Sequence, residues 1–200
     1  MKKLKAVRAA KLIIFLVLAL SLIFTAGCSP DKKASAGDQG ESDPAAEGLA
    51  GFQTKDIYGN DVNQDIFKDY PLTLVNVWGT FCGPCLKELP YLGELREEYE
   101  PKGVNIVGIV VDAQDEEMQP IDEQLELARQ IADETGANYT HMLVSTDMID
   151  PVLNRFDAIP ASFLVDSSGN IVSEFYIGSR SKEEWVDLIE TNIEEQKSAE

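Results

Sequence analysis

Apolar and polar positions follow two different patterns along this chain from residue 52 onward. Short, mostly apolar runs that are rich in β-branched residues predict strands covered on both faces of a sheet. Longer stretches with apolar positions three and four residues apart predict helices. The pattern places strands at 72–78, 104–111 and 140–145, and helices at 83–99, 120–135, 147–156 and from residue 181 onward.

Two further segments have the pattern of β-hairpins. Residues 52–62 turn at Gly59-Asn60, and the turn 167–170 joins two β-prone runs at 161–166 and 171–177. The last helix begins with a capping-box sequence at Ser181, and it is predicted to bury Trp185, Leu188, Ile189 and Ile193. Strand–helix–strand units followed by a hairpin and a helix predict an α/β fold with a mixed β-sheet flanked by helices.

The N-terminal region has a different character from the rest of the chain. Five basic residues precede a run of 15 uncharged residues from Leu12 to Ala26, which leads into Gly27-Cys28. This order is typical of a signal peptide, and its end resembles a bacterial lipobox. The resemblance implies cleavage before Cys28 and lipidation of that cysteine. The alternative is an uncleaved N-terminal anchor, and both interpretations place the remainder outside the cytoplasm.

Residues 29–48 contain no apolar side chain larger than alanine apart from two prolines. Such a segment cannot bury enough surface to offset its chain entropy, so it is predicted to be a flexible linker with a reach of about 25 Å. The sequence therefore divides into a lipoprotein signal peptide at 1–27, a lipidated cysteine with a linker at 28–48, and one domain at 49–200.

Composition and charge exclude several functions. The 200 residues carry a net charge of −18, which argues against non-specific nucleic-acid binding because that requires a basic surface. The single histidine, His141, excludes a multi-histidine metal site and is interpreted as a structural or surface residue. Three cysteines are too few for a disulfide framework. No metal and no other cofactor is expected.

The chemistry is concentrated in Cys82-Gly83-Pro84-Cys85. A zinc site needs four nitrogen or sulfur ligands, and only Cys28 and His141 could supply the others. A redox pair is favoured because the motif follows a strand directly and begins a helix, where the free N–H groups and the helix dipole stabilise a thiolate. Cys82 is therefore predicted to be the nucleophile with a lowered pKa, and Cys85 the shielded resolving thiol.

The segment from Trp78 to Pro90, WGTFCGPCLKELP, resembles the active-site signature of TlpA/ResA-like proteins, which are extracytoplasmic thiol–disulfide oxidoreductases with a thioredoxin-like (redoxin) fold. A second match lies at 158–166, AIPASFLVD. The resemblance implies that Pro160 is cis and faces the cysteines, and that the backbone before it docks the substrate. It also implies that Asp112–Thr140 is a central helical insertion, that disulfide-bearing proteins are the substrates, and that a CcdA-like membrane carrier supplies electrons.

Individual positions refine this resemblance. Asn76 stands six residues before Cys82, where cytoplasmic thioredoxins carry a buried aspartate, and it cannot titrate. Glu88 shares a helix face with Cys85, and the family has a modulating glutamate there; the alternative is that Glu88 points into solvent. The candidate substrate-docking residues are Trp78, Phe81, Pro84, Ile159 and Pro160. The alternative to substrate docking is a place in the core for Trp78 and a packing role for Phe81.

Competing functions differ in their sequence requirements. Peroxidases of this fold need a threonine three residues before the reactive cysteine, whereas Thr80 is two residues before Cys82. Copper-delivery modules of this fold use a Cys-x-x-x-Cys spacing with a distal histidine, so copper binding is a weaker alternative. Gly83 and Pro84 add no charge between the cysteines, which favours a reductase over a disulfide-forming oxidant. The lipobox resemblance implies a location at the outer face of the cell membrane, and a monomer is expected.

Overall fold

The computed structural model describes residues 48–199. The predicted signal peptide, Cys28 and most of the linker lie outside the described residues. Within 48–199 no helix is both long and apolar enough to cross a bilayer. The strands are β1 Gln53–Lys55, β2 Asp61–Asn63, β3 Leu72–Trp78, β4 Val104–Val110, β5 His141–Leu143, β6 Ala161–Val165 and β7 Tyr176–Ile177; the helices are α1 Gly83–Tyr99, α2 Asp122–Thr135, α3 Thr146–Ile149 and α4 Lys182–Ala199.

Five strands form one mixed sheet in the order β5-β4-β3-β6-β7. Strands β3, β4 and β5 run parallel, whereas β6 pairs antiparallel with β3, and β7 antiparallel with β6. The two central strands are buried along their whole length, as a sheet covered on both faces requires. The predicted α/β fold with a mixed, helix-flanked sheet is confirmed.

Alternate residues of the strands supply two separate cores, because side chains alternate between the faces of a sheet. Leu72, Leu74 and Trp78 pack with α1, α2 and α4 on one face. Val75 and Val77 pack on the other face with Phe52, Phe67 and Met148, which come from the N-terminal segment and α3. The cysteine pair belongs to the first core, so its chemistry takes place against α1 and α4.

The N-terminal hairpin, formed by β1 and β2, confirms the first predicted hairpin. It covers the outer edge of β5, because Ile57 donates its backbone N–H to the carbonyl of His141 (2.9 Å) and Thr54 donates its hydroxyl to that of Leu143 (2.9 Å). An unpaired edge strand is a template for aggregation, so the hairpin closes one side of the sheet.

Three predicted elements are clearly shorter than expected, one of which is the strand predicted at 140–145, since β5 covers only His141–Leu143. The helix predicted at 147–156 is a four-residue α3 followed by a separate 3-10 turn at Leu153–Arg155, with Pro151, which cannot continue a helical hydrogen-bond ladder, between them. The return strand predicted at 171–177 pairs continuously only as the two-residue β7, and Ile171 adds an isolated bridge to Val165.

The segment Asp112–Thr140 contains a loop and helix α2, and it leads into β5. Helix α2 ends at Gly136, which has a left-handed φ of 69°, the backbone conformation that glycine adopts most readily at a helix end. The segment therefore adds a helix to the first core and delivers a parallel edge strand to the sheet.

Candidate active site

The cysteine pair lies where β3 ends and α1 begins. Cys82 is the N-cap of α1, and its sulfur accepts the backbone N–H of Cys85 at 3.3 Å. Pro84 lies in the first turn of the helix, where its missing N–H costs no hydrogen bond. Cys82 and Cys85 are joined in a disulfide. Cys82 is 5% exposed and Cys85 is completely buried, so an incoming thiolate can reach only Cys82.

The second motif lies directly opposite the first. Strand β6 pairs Ala161 with Val77 of β3, which brings the Ile159–Pro160 peptide bond beside the cysteines. That bond is cis, and the carbonyl oxygen of Ile159 lies 3.7 Å from Cys82 Sγ. The family-based expectation of a cis proline facing the cysteines is confirmed, and Pro160 itself is buried.

Glu88 is buried one turn further along α1, at 1% exposure. Its carboxylate accepts the side-chain N–H of Asn76 at 2.9 Å and the backbone N–H of Arg180 at 3.0 Å. Burial raises the pKa of Glu88 above its ordinary value, and the Arg180 and Asn76 hydrogen bonds partly oppose that rise. The alternative in which Glu88 points into solvent is wrong.

An apolar rim surrounds the reactive sulfur. Phe81 is 74% exposed, and its ring lies over Gly79 beside Ile159, since a Cβ on Gly79 would lie 3.0 Å from Phe81 Cε1 and 3.3 Å from Ile159 Cδ1. Pro84 is exposed at the helix start, and Ile159 is half-buried. These three predicted docking residues are accessible to a substrate chain.

Trp78 is not part of that rim, and its assignment as a docking residue needs correction. It is 0% exposed, because it is the last residue of a strand whose two faces are covered. Its indole N–H donates to Nδ1 of His141 at 3.0 Å, and a Cβ on Gly108 would fall on that nitrogen. Trp78 supports the motif from the core and does not reach a substrate.

His141 is a structural residue, as one of its two sequence interpretations predicted. It is buried, and its ring nitrogens contact the Trp78 indole and, at 2.8 Å, the Ala137 carbonyl. Neither nitrogen is left to bind a metal. Among residues 48–199, no group of three or more histidine, cysteine or acidic side chains could hold a metal ion. The copper alternative thus has no histidine ligand available at this site.

Sequence reasoning missed two contributors. Arg180 holds Glu88 through its backbone N–H. The identity of a side chain does not indicate such a backbone contact, so the sequence carried no signal for it. Asp112 accepts the backbone N–H and the hydroxyl of Thr80, two residues before Cys82. A polar residue directly after a parallel strand was the available signal for Asp112, because such positions gather at the edge that carries the cysteines.

A cysteine pair that caps a helix, opposite a cis proline on a mixed sheet, defines a dithiol–disulfide protein of the thioredoxin-like fold. The profile of the Redoxin family matches residues 39–188. The chain belongs to that family.

Relatives with a stated activity agree with this dithiol–disulfide chemistry. The chain is 32% identical over 133 residues to the thiol-disulfide oxidoreductase ResA of Bacillus thuringiensis subsp. konkukian (strain 97-27), covering 66% of this chain and 69% of that protein. ResA of Geobacillus kaustophilus (strain HTA426) is 28% identical over 135 residues, covering 66% of this chain and 69% of that protein.

A solved structure supports the fold. A thiol:disulfide interchange protein from Chlorobium tepidum TLS superposes with a TM-score of 0.59 at 25% identity, covering 75% of this chain and 98% of that one. The chain is therefore a ResA-like thiol–disulfide oxidoreductase, and its family implies disulfide-bearing protein substrates.

Proposed function

We propose that the protein reduces disulfides of partner proteins outside the cytoplasm, tethered to the membrane by lipid on Cys28. The observation that carries the thiol–disulfide exchange is the pairing of Cys82, which is 5% exposed, with a fully buried Cys85 on a helix that also carries the buried Glu88. This arrangement separates an attacking sulfur from a resolving sulfur, and it gives the second one a proton acceptor.

The exchange proceeds in two balanced steps. In the reduced protein, the thiolate of Cys82 attacks one sulfur of the substrate disulfide and forms a mixed disulfide, and the other substrate sulfur leaves as a thiolate and takes up a proton. Cys85 then loses its proton and attacks Cys82, which forms the Cys82–Cys85 disulfide found here and releases the second substrate thiol. Two electrons pass from the protein to the substrate.

Glu88 is the proposed proton acceptor for Cys85. Glu88 lies three positions after Cys85 on one face of α1, and both are buried, so water cannot take the proton from Cys85 freely. Burial raises the pKa of Glu88, and a base whose pKa lies nearer the working pH transfers protons more effectively. Phe81, Pro84 and Ile159 are the proposed docking surface for the substrate segment, and the buried cis-Pro160 places the backbone before it beside Cys82.

The direction of electron flow follows from what stabilises the reduced form. Strong oxidants of this fold have a very acidic first thiol and potentials near about −120 mV, whereas reducing thioredoxins lie near about −270 mV. Gly83 and Pro84 provide neither a side-chain donor nor a charge to stabilise the Cys82 thiolate. Its stabilisation comes from the helix start alone, which favours the reducing end of the range.

Equilibration of the purified protein with a dithiothreitol or glutathione redox series tests the direction. We expect a potential near the thioredoxin value. A potential above about −180 mV, in the range of isomerases and oxidases, would show that the protein forms disulfides instead.

The proposed location rests on the sequence of residues 1–28. A basic segment, an uncharged core and Ala-Gly-Cys precede a domain with 12 basic and 35 acidic residues from position 28 on. A reductant outside the cytoplasm is oxidised at each turnover, so it needs a membrane source of electrons, for which a CcdA-like thiol carrier is the proposed donor. The protein is proposed to act as a monomer.

Mass spectrometry of the protein from its native host tests the anchor. We expect a mature N-terminus at Cys28 carrying two or three acyl chains, because a single chain binds membranes only marginally. An intact Met1 with an unmodified Cys28 would contradict the lipid tether without affecting the disulfide chemistry.

A further inference from the structure

Thr80 is tied to the central insertion by a compact set of hydrogen bonds. Its backbone N–H donates to both carboxylate oxygens of Asp112, at 3.1 and 3.0 Å, and its hydroxyl donates to Asp112 Oδ2 at 2.6 Å. Thr80 is 8% exposed, and hydrogen bonds to an ionised acceptor in a shielded site are the stronger kind.

Helix α2 adds a second contact to the same hydroxyl. The side-chain oxygen Oε1 of Gln124 lies 3.0 Å from Thr80 Oγ1 and is a second acceptor for the same hydroxyl. Because a hydroxyl has one proton to donate, the Asp112 and Gln124 oxygens share it, and the shorter contact is the one to Asp112. Thr80 is thereby held from two parts of the insertion.

Thr80 belongs to the tight turn that presents the reactive sulfur. Cys82 donates its backbone N–H to the carbonyl of Gly79 at 3.0 Å, so Thr80 and Phe81 are the two central residues of that turn. Phe81 is largely exposed, and its ring lies over Gly79 beside Ile159. Because the Phe81 ring is largely exposed, few packing contacts hold it in place. Its orientation therefore depends on the backbone conformation of the Gly79–Cys82 turn.

We propose that Asp112 and Gln124 are positioning residues that fix the Gly79–Cys82 turn, and that through it the insertion holds Phe81 where a protein substrate docks. The insertion thus acts on affinity for protein disulfides, whichever way the electrons flow. A small disulfide reaches Cys82 without contacting the Phe81 ring. Its reaction rate therefore does not depend on the contacts between Thr80 and the insertion.

Four variants test this with two substrates. Thr80→Val, Asp112→Ala and Gln124→Ala each remove part of the hydrogen-bond set, and Thr80→Ser retains the hydroxyl. Each protein is turned over with insulin as the protein disulfide and dithiothreitol as the electron source, and the pre-reduced protein is reacted once with 5,5′-dithiobis(2-nitrobenzoate) as the small disulfide. We expect KM for insulin to rise about fivefold in the first three variants with kcat nearly constant, since loss of orientation weakens productive binding. The rate with the small disulfide should stay within about twofold, and Thr80→Ser should restore KM.

Two matched controls lie in the same insertion. Gln130→Ala removes an exposed amide of α2 that donates a hydrogen bond to Glu134, and Asp115→Asn weakens a loop cap that holds Glu117 and Gln119. Both should leave KM unchanged. Equal losses of activity with both substrates would mean that the contacts only maintain the geometry of the cysteines, which would overturn the proposal. An unchanged KM for insulin in the first three variants, or a raised KM in Thr80→Ser, would overturn it as well. Melting temperatures of all variants separate these outcomes from unfolding.

Discussion

His141 offers a sharp test of the packing beneath the active-site motif. The ring is buried between Trp78 and Tyr139, with centroid distances of 5.3 and 4.5 Å. Burial lowers the pKa of His141 from 6.5 to about 4, and neither the Ala137 carbonyl nor the charge of Asp56 offsets this. The neutral imidazole is therefore the form that the folded protein accommodates.

The sign of the pH dependence follows from linkage. Between pH 6.5 and about 4, the unfolded chain binds a proton on His141 that the folded protein excludes. The contribution of His141 to the free energy of unfolding is therefore complete above pH 6.5 and is lost as the pH falls toward 4. A difference of 2.5 pKa units (6.5 minus 4) corresponds to about 3 kcal/mol of unfolding free energy.

The perturbation is His141→Asn, whose side-chain oxygen can still accept the Trp78 indole N–H. At pH 7 we expect the variant to be less stable by about 1–3 kcal/mol, because it loses the contact with the Ala137 carbonyl and part of the packing. Toward pH 4 that deficit should shrink by about 3 kcal/mol, since the variant has no imidazole to protonate.

Urea unfolding of the oxidised protein at several pH values measures the difference, and proton NMR follows the imidazole directly, because the chain has one histidine. Leu143→Ala, also on β5 and buried, is the control: its deficit should be independent of pH. An imidazole that titrates near 6.5, or a His141→Asn deficit that does not change with pH, would refute the reasoning.

Three other variants probe the site itself. Glu88→Gln should slow disulfide exchange about tenfold and flatten its pH–rate profile, measured by stopped-flow fluorescence; the exposed Glu97→Gln is the control, and identical profiles would contradict a proton-accepting role. Cys85→Ser should accumulate mixed disulfides on Cys82, seen on non-reducing gels, whereas Cys82→Ser should trap none. Gly79→Ala should displace the Phe81 ring, which raises KM for a protein disulfide severalfold at nearly constant stability; a wild-type KM would show that ring placement is irrelevant.

The sequence predicted most accurately the elements whose boundaries have a local physical cause. Strand β3 and helix α1 have the predicted ends, 72–78 and 83–99, because a continuous apolar run defines the first and a cysteine N-cap with proline in the first turn defines the second. The predicted capping box is also present, since Ser181 donates its backbone N–H to Glu184 at 2.8 Å.

Features that depend on distant parts of the chain could not be predicted in the same way. The edge strand β7 is short because its length depends on pairing with β6, which the local pattern does not encode. Trp78 and Phe81 are aromatic residues three positions apart, yet one is buried and the other exposed, since the strand ends between them. The contact from Thr80 to Asp112 spans 32 residues and depends on the parallel pairing of β3 with β4.

Asn76 is the buried side chain that contacts Glu88 from the central strand β3. The side-chain amide of Asn76 donates to Glu88 at 2.9 Å and to Ser162 at 3.0 Å. The neighbour of Glu88 on strand β3 is therefore a neutral donor. A second carboxyl group at that distance would share its proton with Glu88, and the pair would titrate in two coupled steps. Asn76 cannot take a proton from Cys85, so in the proposed exchange Glu88 is the group that accepts it. Glu88 lies on the same helix as Cys85, so the proposed acceptor and the thiol that it serves are held by one rigid element.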